Sequence, residues 1–193
     1  MRVEGRWALG QTDEAVEVPW ENHEKGTRYL NLRDDPSAVA EIEAARRQRP
    51  LHNLLVALNS ADSLLLTIRA QIWLEPDEAA RPDISTFMSR LDLAFGEMEM
   101  NFDRTPYTML LEGLTDLLAR EGADTLHAEL NVHRCWFHDP GRGGYALGIL
   151  LAAQGETPGQ AELRWGLGLA RIQQALMFLS RVIRQQWGRA GQA

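Results

Sequence analysis

Five residues in the second half of the chain are of the types that bind zinc: His127, Glu129, His133, Cys135 and His138. The first four occupy alternate positions of a strand-like segment and would share one face. A strand rises about 3.3 Å per residue, which would place His127 and His133 roughly 20 Å apart, whereas two ligands of one zinc ion lie within about 4 Å. The pattern favours a solvent-facing strand face, and no metal or other cofactor is predicted.

Other polar residues could carry chemistry in smaller groups. Cys135 could act as a nucleophile only with a base and an oxyanion pocket, and His133 could supply the base. Glu97 and Glu99 would project from one strand face, where they could hold a cation, act as acid and base, or be solvated. With Arg69 on an earlier strand, these are the residues expected to line a small-molecule pocket. No familiar catalytic signature surrounds Cys135, so enzyme activity is not favoured.

A glycine-rich segment, Asp139-Pro140-Gly141-Arg142-Gly143-Gly144, could be read as a phosphate-binding loop. Such a loop leads into the N-terminus of a helix. This segment instead separates two alternating, strand-like stretches. It is predicted to be a hairpin turn.

The charge of the chain is acidic overall and unevenly distributed. The net charge is −7, yet residues 163–193 contain five arginines and no acidic residue. With those five positive charges set aside, the rest of the chain is at −12 and would repel phosphate. Nucleic-acid binders usually present a basic surface on a basic or neutral domain, so nucleic acid is not an expected partner. Arginines late in a helix also interact favourably with the helix dipole.

The cysteine content and the N-terminal residues indicate the cellular compartment to expect. Cys135 is the only cysteine and cannot form an internal disulfide. Residues 1–6 lack the apolar stretch of a signal peptide, and no apolar run approaches the roughly 20 residues of a membrane span. These features predict a cytoplasmic protein that does not associate with membranes.

Periodicity in the chain predicts both strands and helices. Strand-like alternation covers Leu64–Leu74, Leu126–Phe137 and Tyr145–Ala153, with weaker extended segments at residues 2–9, 14–20 and 27–33. Helices are predicted to start where proline can occupy the first helical position, at Asp35-Pro36, Thr105-Pro106 and Thr157-Pro158, and a further helical piece covers Leu51–Leu58.

Residues 83–102 fit two patterns. The apolar residues from Ile84 to Phe95 have helical spacing, whereas those from Leu91 to Phe102 alternate as in a strand, with a change of parity at Gly96. A β-bulge at the glycine would produce that change. We favour a strand over about 90–102, with at most a turn of helix before it.

The last helix, predicted to run from Thr157-Pro158 to about Trp187, carries more apolar residues than one face can bury. A heptad-like seam follows 4-3-4-3-4 spacing: Trp165, Leu169, Ile172, Leu176, Leu179 and Ile183. A second apolar set lies elsewhere on the helix: Leu163, Leu167, Ala170 and Met177, with Phe178 and Val182 between the two sets. A helix that is apolar nearly all round is buried nearly all round. We expect the seam to form a homodimer interface, with burial inside the monomer as the alternative.

The expected fold is α+β, with an antiparallel sheet of five to six strands, helices mainly on one face and a long C-terminal helix. Two strand pairs each lead to Thr-Pro and a helix, which suggests a ββα repeat. Residues 1–193 are expected to form one domain, in which 1–34 pack on the body as an extended segment, 35–187 form the core and 188–193 a flexible tail. The element order resembles that of secretion-chaperone-like domains, which are small, acidic and usually dimeric, although no motif identifies a family.

The surplus apolar helix face and the lack of a catalytic constellation favour a non-enzymatic protein-interaction module. Such a protein would be a dimeric adaptor or chaperone that presents a sheet or a helix groove to a protein partner. The alternative is a small-molecule-binding protein or enzyme with a pocket between the sheet and the helices.

Overall fold

A computed structural model describes residues 1–10, 16–24, 26–76, 84–120 and 125–190. In chain order the strands of these ranges are β1 (Arg2–Ala8), β2 (Val16–Val18), β3 (Glu21–Asn22), β4 (Thr27–Arg28), β5 (Leu65–Pro76), β6 (Ser85–Phe95), β7 (Leu126–Phe137) and β8 (Arg142–Gly155). The α-helices are α1 (Glu43–Arg47), α2 (Arg49–Leu58), α3 (Arg104–Ala119) and α4 (Pro158–Ala190), and 3₁₀ helices cover Pro36–Glu41 and Met98–Phe102.

The main sheet has the strand order β1-β7-β8-β6-β5, with β2 continuing along the same edge of β7 as β1. Neighbours among β5 to β8 are antiparallel, and each hairpin is followed by a helix, in the order β5-β6-α3 and β7-β8-α4. The predicted α+β class is confirmed. The sheet is mixed and not antiparallel, because β1 and β2 run parallel to β7. Parallel neighbours need a long crossover, and most of the chain lies between β1 and β7.

The segment that fitted two patterns is a strand followed by a 3₁₀ helix. Strand β6 ends at Phe95, so the predicted strand is right up to that residue and wrong beyond it. The side chain of Asn101 ties the 3₁₀ helix back to the strand end, since its amide donates to Phe95 O (2.9 Å) and its Oδ1 accepts from Phe95 N (2.8 Å). A Cβ at Gly96 would collide with the guanidinium group of Arg33 and would have to displace it from the carbonyl oxygens of Ser63 and Leu65.

Helix α4 covers the helix side of the sheet. It contacts β8 and β6 and is flanked by α2 and α3. The indole of Trp165 is fully buried, donates to the Ser89 hydroxyl (2.8 Å) and packs on Phe87 with ring centroids 4.8 Å apart. All six seam residues are buried in the chain's own core, at 7% exposure or less. The apolar sheet face takes up the seam, so a dimer through α4 would have to use the helix's other side.

The N-terminal segment around Trp20 covers part of the opposite sheet face. A second apolar cluster forms there from Val16, Ile68, Ala94, Cys135, Phe137 and Ala146, with Trp20 packed against it. The indole of Trp20 donates to Ile68 O (2.9 Å). The side of β7 that was predicted to face solvent is therefore buried at this end, where His133 and Cys135 are 5% and 1% exposed.

A register shift between Thr67 and Arg69 alters the predicted alternation of β5. Ile68 contributes to the second cluster, whereas Ala70 and Ile72 pack against the helix-side core. The single apolar face expected from Leu64 to Leu74 is therefore wrong, because a bulge moves the following residues to the other side.

Side chains protect the start of β5, which is an edge strand. The Arg33 guanidinium donates to Leu65 O (2.8 Å), and Thr67 N donates to Asn59 Oδ1 (3.1 Å). Edge strands with unsatisfied backbone groups invite pairing with other chains. These hydrogen bonds satisfy the backbone groups of Leu65 and Thr67, so the first residues of the strand are protected from pairing with another chain.

Because α4 provides much of the core, truncating its buried side should be costly. We expect Leu169→Ala to lower the free energy of unfolding by about 2–5 kcal/mol, since a fully buried leucine leaves a cavity. Leu167→Ala, two residues away at 57% exposure, should change it by less than about 0.5 kcal/mol. Denaturant unfolding at low micromolar concentration would test this. Equal effects would contradict the assignment of the buried face.

Candidate functional site

The second sheet face carries a row of residues in register across five strands, with polar side chains on four of them and a glycine on β8. One row contains Arg6 on β1, Asn131 on β7, Gly148 on β8, Asp92 on β6 and Arg69 on β5. The row lies beside the second apolar cluster, at the border between the covered and the open part of this face. This border is the candidate functional site.

A fully buried carboxylate, that of Asp92, is the centre of the site. Its Oδ2 accepts from Arg69 Nε at 2.5 Å, and its Oδ1 lies 3.1 Å from His133 Nε2. Arg90 Nε is 3.6 Å from Oδ2. Removing a carboxylate from water costs several kcal/mol unless it is paired and hydrogen-bonded. Arg69, Arg90 and His133 compensate for the loss of water around this carboxylate.

Two opposing effects act on the pKa of Asp92. Burial alone would raise it, but the hydrogen bond to His133 and the charges of Arg69 and Arg90 outweigh burial and hold the pKa below its ordinary value. The carboxylate is therefore ionised at neutral pH. It acts as a fixed counter-ion and cannot serve as a general acid there.

The ring of His133 is held on both sides. Its Nε2 faces the Asp92 carboxylate, and its Nδ1 lies 3.2 Å from the carbonyl oxygen of Arg134. Both partners are hydrogen-bond acceptors, so both ring nitrogens are directed at oxygen atoms and neither is directed at Cys135.

Gly148 leaves space beside the pair formed by Asp92 and His133. A Cβ at this position would lie 3.0 Å from Asp92 Oδ1 and 3.3 Å from His133 Nε2, closer than a side chain normally packs. A cleft of about 230 Å³ opens at this level of the sheet. Its lining residues are Arg6, Ala8, Arg90, Asn131, His133, Gly148, Ile149 and Leu150.

A larger cleft of about 580 Å³ lies at the edge of β5, where the strand meets α1, α2 and the N-terminal segment. Its apolar lining includes Trp20, Leu30, Leu32, Ile42 and Leu55. Its charged lining combines Arg28, Arg46 and Arg69 with Glu41 and Glu43. The mixed charges do not select a ligand of either sign.

The residues predicted from sequence to form a polar site are only partly brought together. Arg69 and His133 meet through Asp92, and Cys135 follows His133 on the same buried face of β7. Glu97 and Glu99 lie apart, exposed at and just before the 3₁₀ helix that follows β6. They do not project from a strand, because β6 has already ended.

Sequence reasoning missed Asp92 and Arg90, the two members of the site that lie on β6. Their signal is two charges at alternate positions in an otherwise apolar run that includes Leu91 and Leu93. The pattern was hidden by the competing helical spacing. Assigning a strand from Ser85 would have placed both charges on one face.

Cys135 is buried among apolar side chains. Burial, followed by the nearby charges of Asp92 and Glu17, raises the pKa of its thiol to about 12. A thiolate is therefore scarce at neutral pH. This opposes the nucleophile interpretation.

Among the described residues, no three histidine, cysteine or acidic side chains gather closely enough to hold a metal ion. His127 instead lies 3.3 Å from Glu129, and His138 lies 3.1 Å from Glu17. The residues of zinc-binding type are thus distributed over separate pairs.

The outer side of α4 is a second candidate surface. Leu163, Leu167 and Phe178 are 67%, 57% and 53% exposed and follow one stripe of the helix. Ala170 and Gln174, which lie between them on the same stripe, are also exposed. We call these five residues the outer stripe. Its apolar side chains are exposed and are not packed in the core of the chain.

We expect Cys135 to resist alkylation by iodoacetamide at pH 8 in the folded protein and to react fully in denaturant. The reason is its 1% exposure together with its raised pKa. Mass spectrometry of the intact chain would follow the reaction. Rapid labelling without denaturant would contradict the buried thiol.

We expect Asp92→Asn to lower the free energy of unfolding by about 3–5 kcal/mol, because it leaves Arg69 and Arg90 without their buried counter-ion. Asp116→Asn on the exposed side of α3 makes the same charge change and should have little effect. Denaturant unfolding would measure both variants.

The same variant tests the pH dependence. The folded-state pKa of Asp92 is lower than its unfolded value, so its contribution is present above about pH 4 and is lost as the pH falls through the folded-state pKa. Below about pH 4, stability should fall more steeply in the parent protein than in Asp92→Asn. Parallel curves would show that the carboxylate is not paired.

In the part of the chain that the structure describes, none of the helices is long and apolar enough to cross a membrane. No protein-family model, curated protein or solved structure matches this chain. The resemblance to secretion-chaperone-like domains therefore rests on the order of the elements alone.

Proposed function

We propose that this protein is a non-enzymatic protein-interaction module that works as a dimer, paired through the outer stripe of α4. The observation that supports this is the exposure of Leu163, Leu167 and Phe178 along one line of a 33-residue helix. Single exposed apolar residues are common on monomers, but contiguous patches usually mark interaction sites. A second copy is the simplest occupant, since it offers the same stripe.

An antiparallel arrangement suits the spacing of the outer stripe. With a twofold axis beside Ala170, Leu163 of each helix lies opposite Phe178 of the other, and Leu167 lies opposite Gln174. The small side chain of Ala170 allows the two helices to approach closely at the axis. Both large apolar positions at the ends of the stripe are then covered.

The polar site supports a binding role more than catalysis. Its carboxylate is a buried counter-ion, its histidine is hydrogen-bonded at both nitrogens, and its cysteine is buried with a raised pKa. Nucleophilic catalysis needs an activated nucleophile next to a base. Neither Cys135 nor His133 is in that condition.

We expect the protein to be a dimer by light scattering and analytical ultracentrifugation, and Leu167→Glu to shift it to a monomer. Burying a new charged side chain in the contact between the two helices should weaken association by at least tenfold. Val56→Glu on α2 is the matched control, because Val56 is an apolar residue 48% exposed outside the outer stripe. A parent protein that is monomeric at about 100 µM, far above a typical micromolar Kd, would exclude this proposal.

Cysteine cross-linking would define the direction of pairing. In an antiparallel dimer, a mixture of Leu163→Cys and Phe178→Cys chains should form a mixed disulfide, whereas Leu163→Cys alone should not. In a parallel dimer the outcome reverses. Cys135 is buried and should give little background.

A further inference from the structure

We propose that the cleft beside Gly148 binds a small oxyanion, the carboxylate or phosphate group of a ligand, between the guanidinium groups of Arg6 and Arg90. The cleft lies on the sheet face opposite α4, so this proposal does not depend on the dimer. It differs from the expected pocket between sheet and helices, because it uses the other face of the sheet.

The two arginines approach the cleft from opposite sides. Arg6 belongs to β1 and Arg90 to β6, three strand spacings away, which corresponds to about 14 Å between their backbones. Both side chains line the same cleft. Gly148 lies on the strand between them, and its lack of a side chain makes room for the contact between Asp92 and His133. An anion would bind beside that contact, within reach of both arginines.

The charges around the cleft favour an anion. Among the described residues that line the cleft, the charged side chains are the guanidinium groups of Arg6 and Arg90. The described lining is therefore basic, although the chain as a whole has a net charge of −7.

The donors in the cleft have the geometry that oxyanions require. Arginine presents a planar fork of N–H groups that matches the oxygens of a carboxylate or a phosphate. Arg6 Nε donates to Asn131 Oδ1 at 2.8 Å, which fixes that side chain and orients the Asn131 amide so that its NH₂ group can donate elsewhere. A volume of about 230 Å³ suits a small anionic group better than a drug-sized ligand, whose pockets are roughly 300–1,000 Å³.

The buried cluster gives the site a rigid base. Asp92 is held by Arg69 and His133, and it lies close enough to Arg90 to limit the positions of that guanidinium group. Pre-organised donors bind more tightly because less side-chain entropy is lost on binding. Asp92 is thus a positioning residue that does not itself touch the anion.

Calorimetric titration of the full chain with inorganic phosphate and with malonate, at low ionic strength, would test the site. We expect saturable binding of one anion per chain, and at least a tenfold loss of affinity in Arg6→Gln and in Arg90→Gln. Arg2→Gln is the matched control, since Arg2 lies on the same strand and the same face but pairs with Glu4. Binding of phosphate alone, of malonate alone or of both supports the proposal and identifies the preferred group.

The proposal is overturned if neither anion binds at 10 mM, or if Arg2→Gln weakens binding as much as Arg6→Gln does. Gly148→Ala adds an independent readout, because the added methyl group would press on Asp92 Oδ1 and the His133 ring beside the cleft, and should weaken binding while circular dichroism stays native. Arg6 is exposed on the edge strand β1, so its variant should fold even if Gly148→Ala does not. Loss of anion binding in Arg6→Gln with the dimer intact would separate this site from the interface of α4.

Discussion

A sheet five strands wide has two faces to cover, and the helices of this chain cover only one. Helix α4 buries its seam on β8 and β6, and α2 and α3 fill the spaces on either side. On the opposite face, the described residues that cover one end include Trp20 and Phe102. The positions of the ion cluster and of the two proposed surfaces follow from this unequal coverage. Each strand must be apolar along its whole length on the helix side, but only along part of its length on the other side.

The ion cluster lies where the cover of the second face ends. A buried carboxylate is tolerated there because Arg69 reaches it from the neighbouring strand β5 and His133 reaches it from β7, across β8, where Gly148 leaves room. Buried ion pairs contribute little net stability, although breaking one is costly. The cluster is better understood as a device that fixes side chains beside an open cleft than as a source of fold stability.

The two proposed surfaces would bind different partners and lie on opposite sides of the sheet. The outer stripe of α4 is apolar and suited to a second copy, whereas the cleft beside Gly148 is cationic and suited to a small anion. The sheet lies between them. A dimer paired through α4 would present its two clefts facing outwards.

Local patterns in the sequence determined much of the secondary structure. The start of α3 and the extents of β5, β7 and β8 depend on caps, proline and alternation within a few residues, so they could be predicted closely. The same local patterns failed at Gly96, where Asn101 and Arg33 end the strand through contacts with other segments.

Only the tertiary structure determines which of these segments pack against each other. The heptad-like spacing of α4 was visible in the sequence, but only the apolar face of the sheet determines that the seam turns inwards and leaves Leu163, Leu167 and Phe178 outside. The parallel pairing of β1 with β7 and the cluster around Asp92 could not be predicted from the sequence either. The partners of that carboxylate are 23 and 41 residues away, and strand register alone brings them together. Periodicity records how polar a face is, whereas register across distant strands determines which polar groups touch.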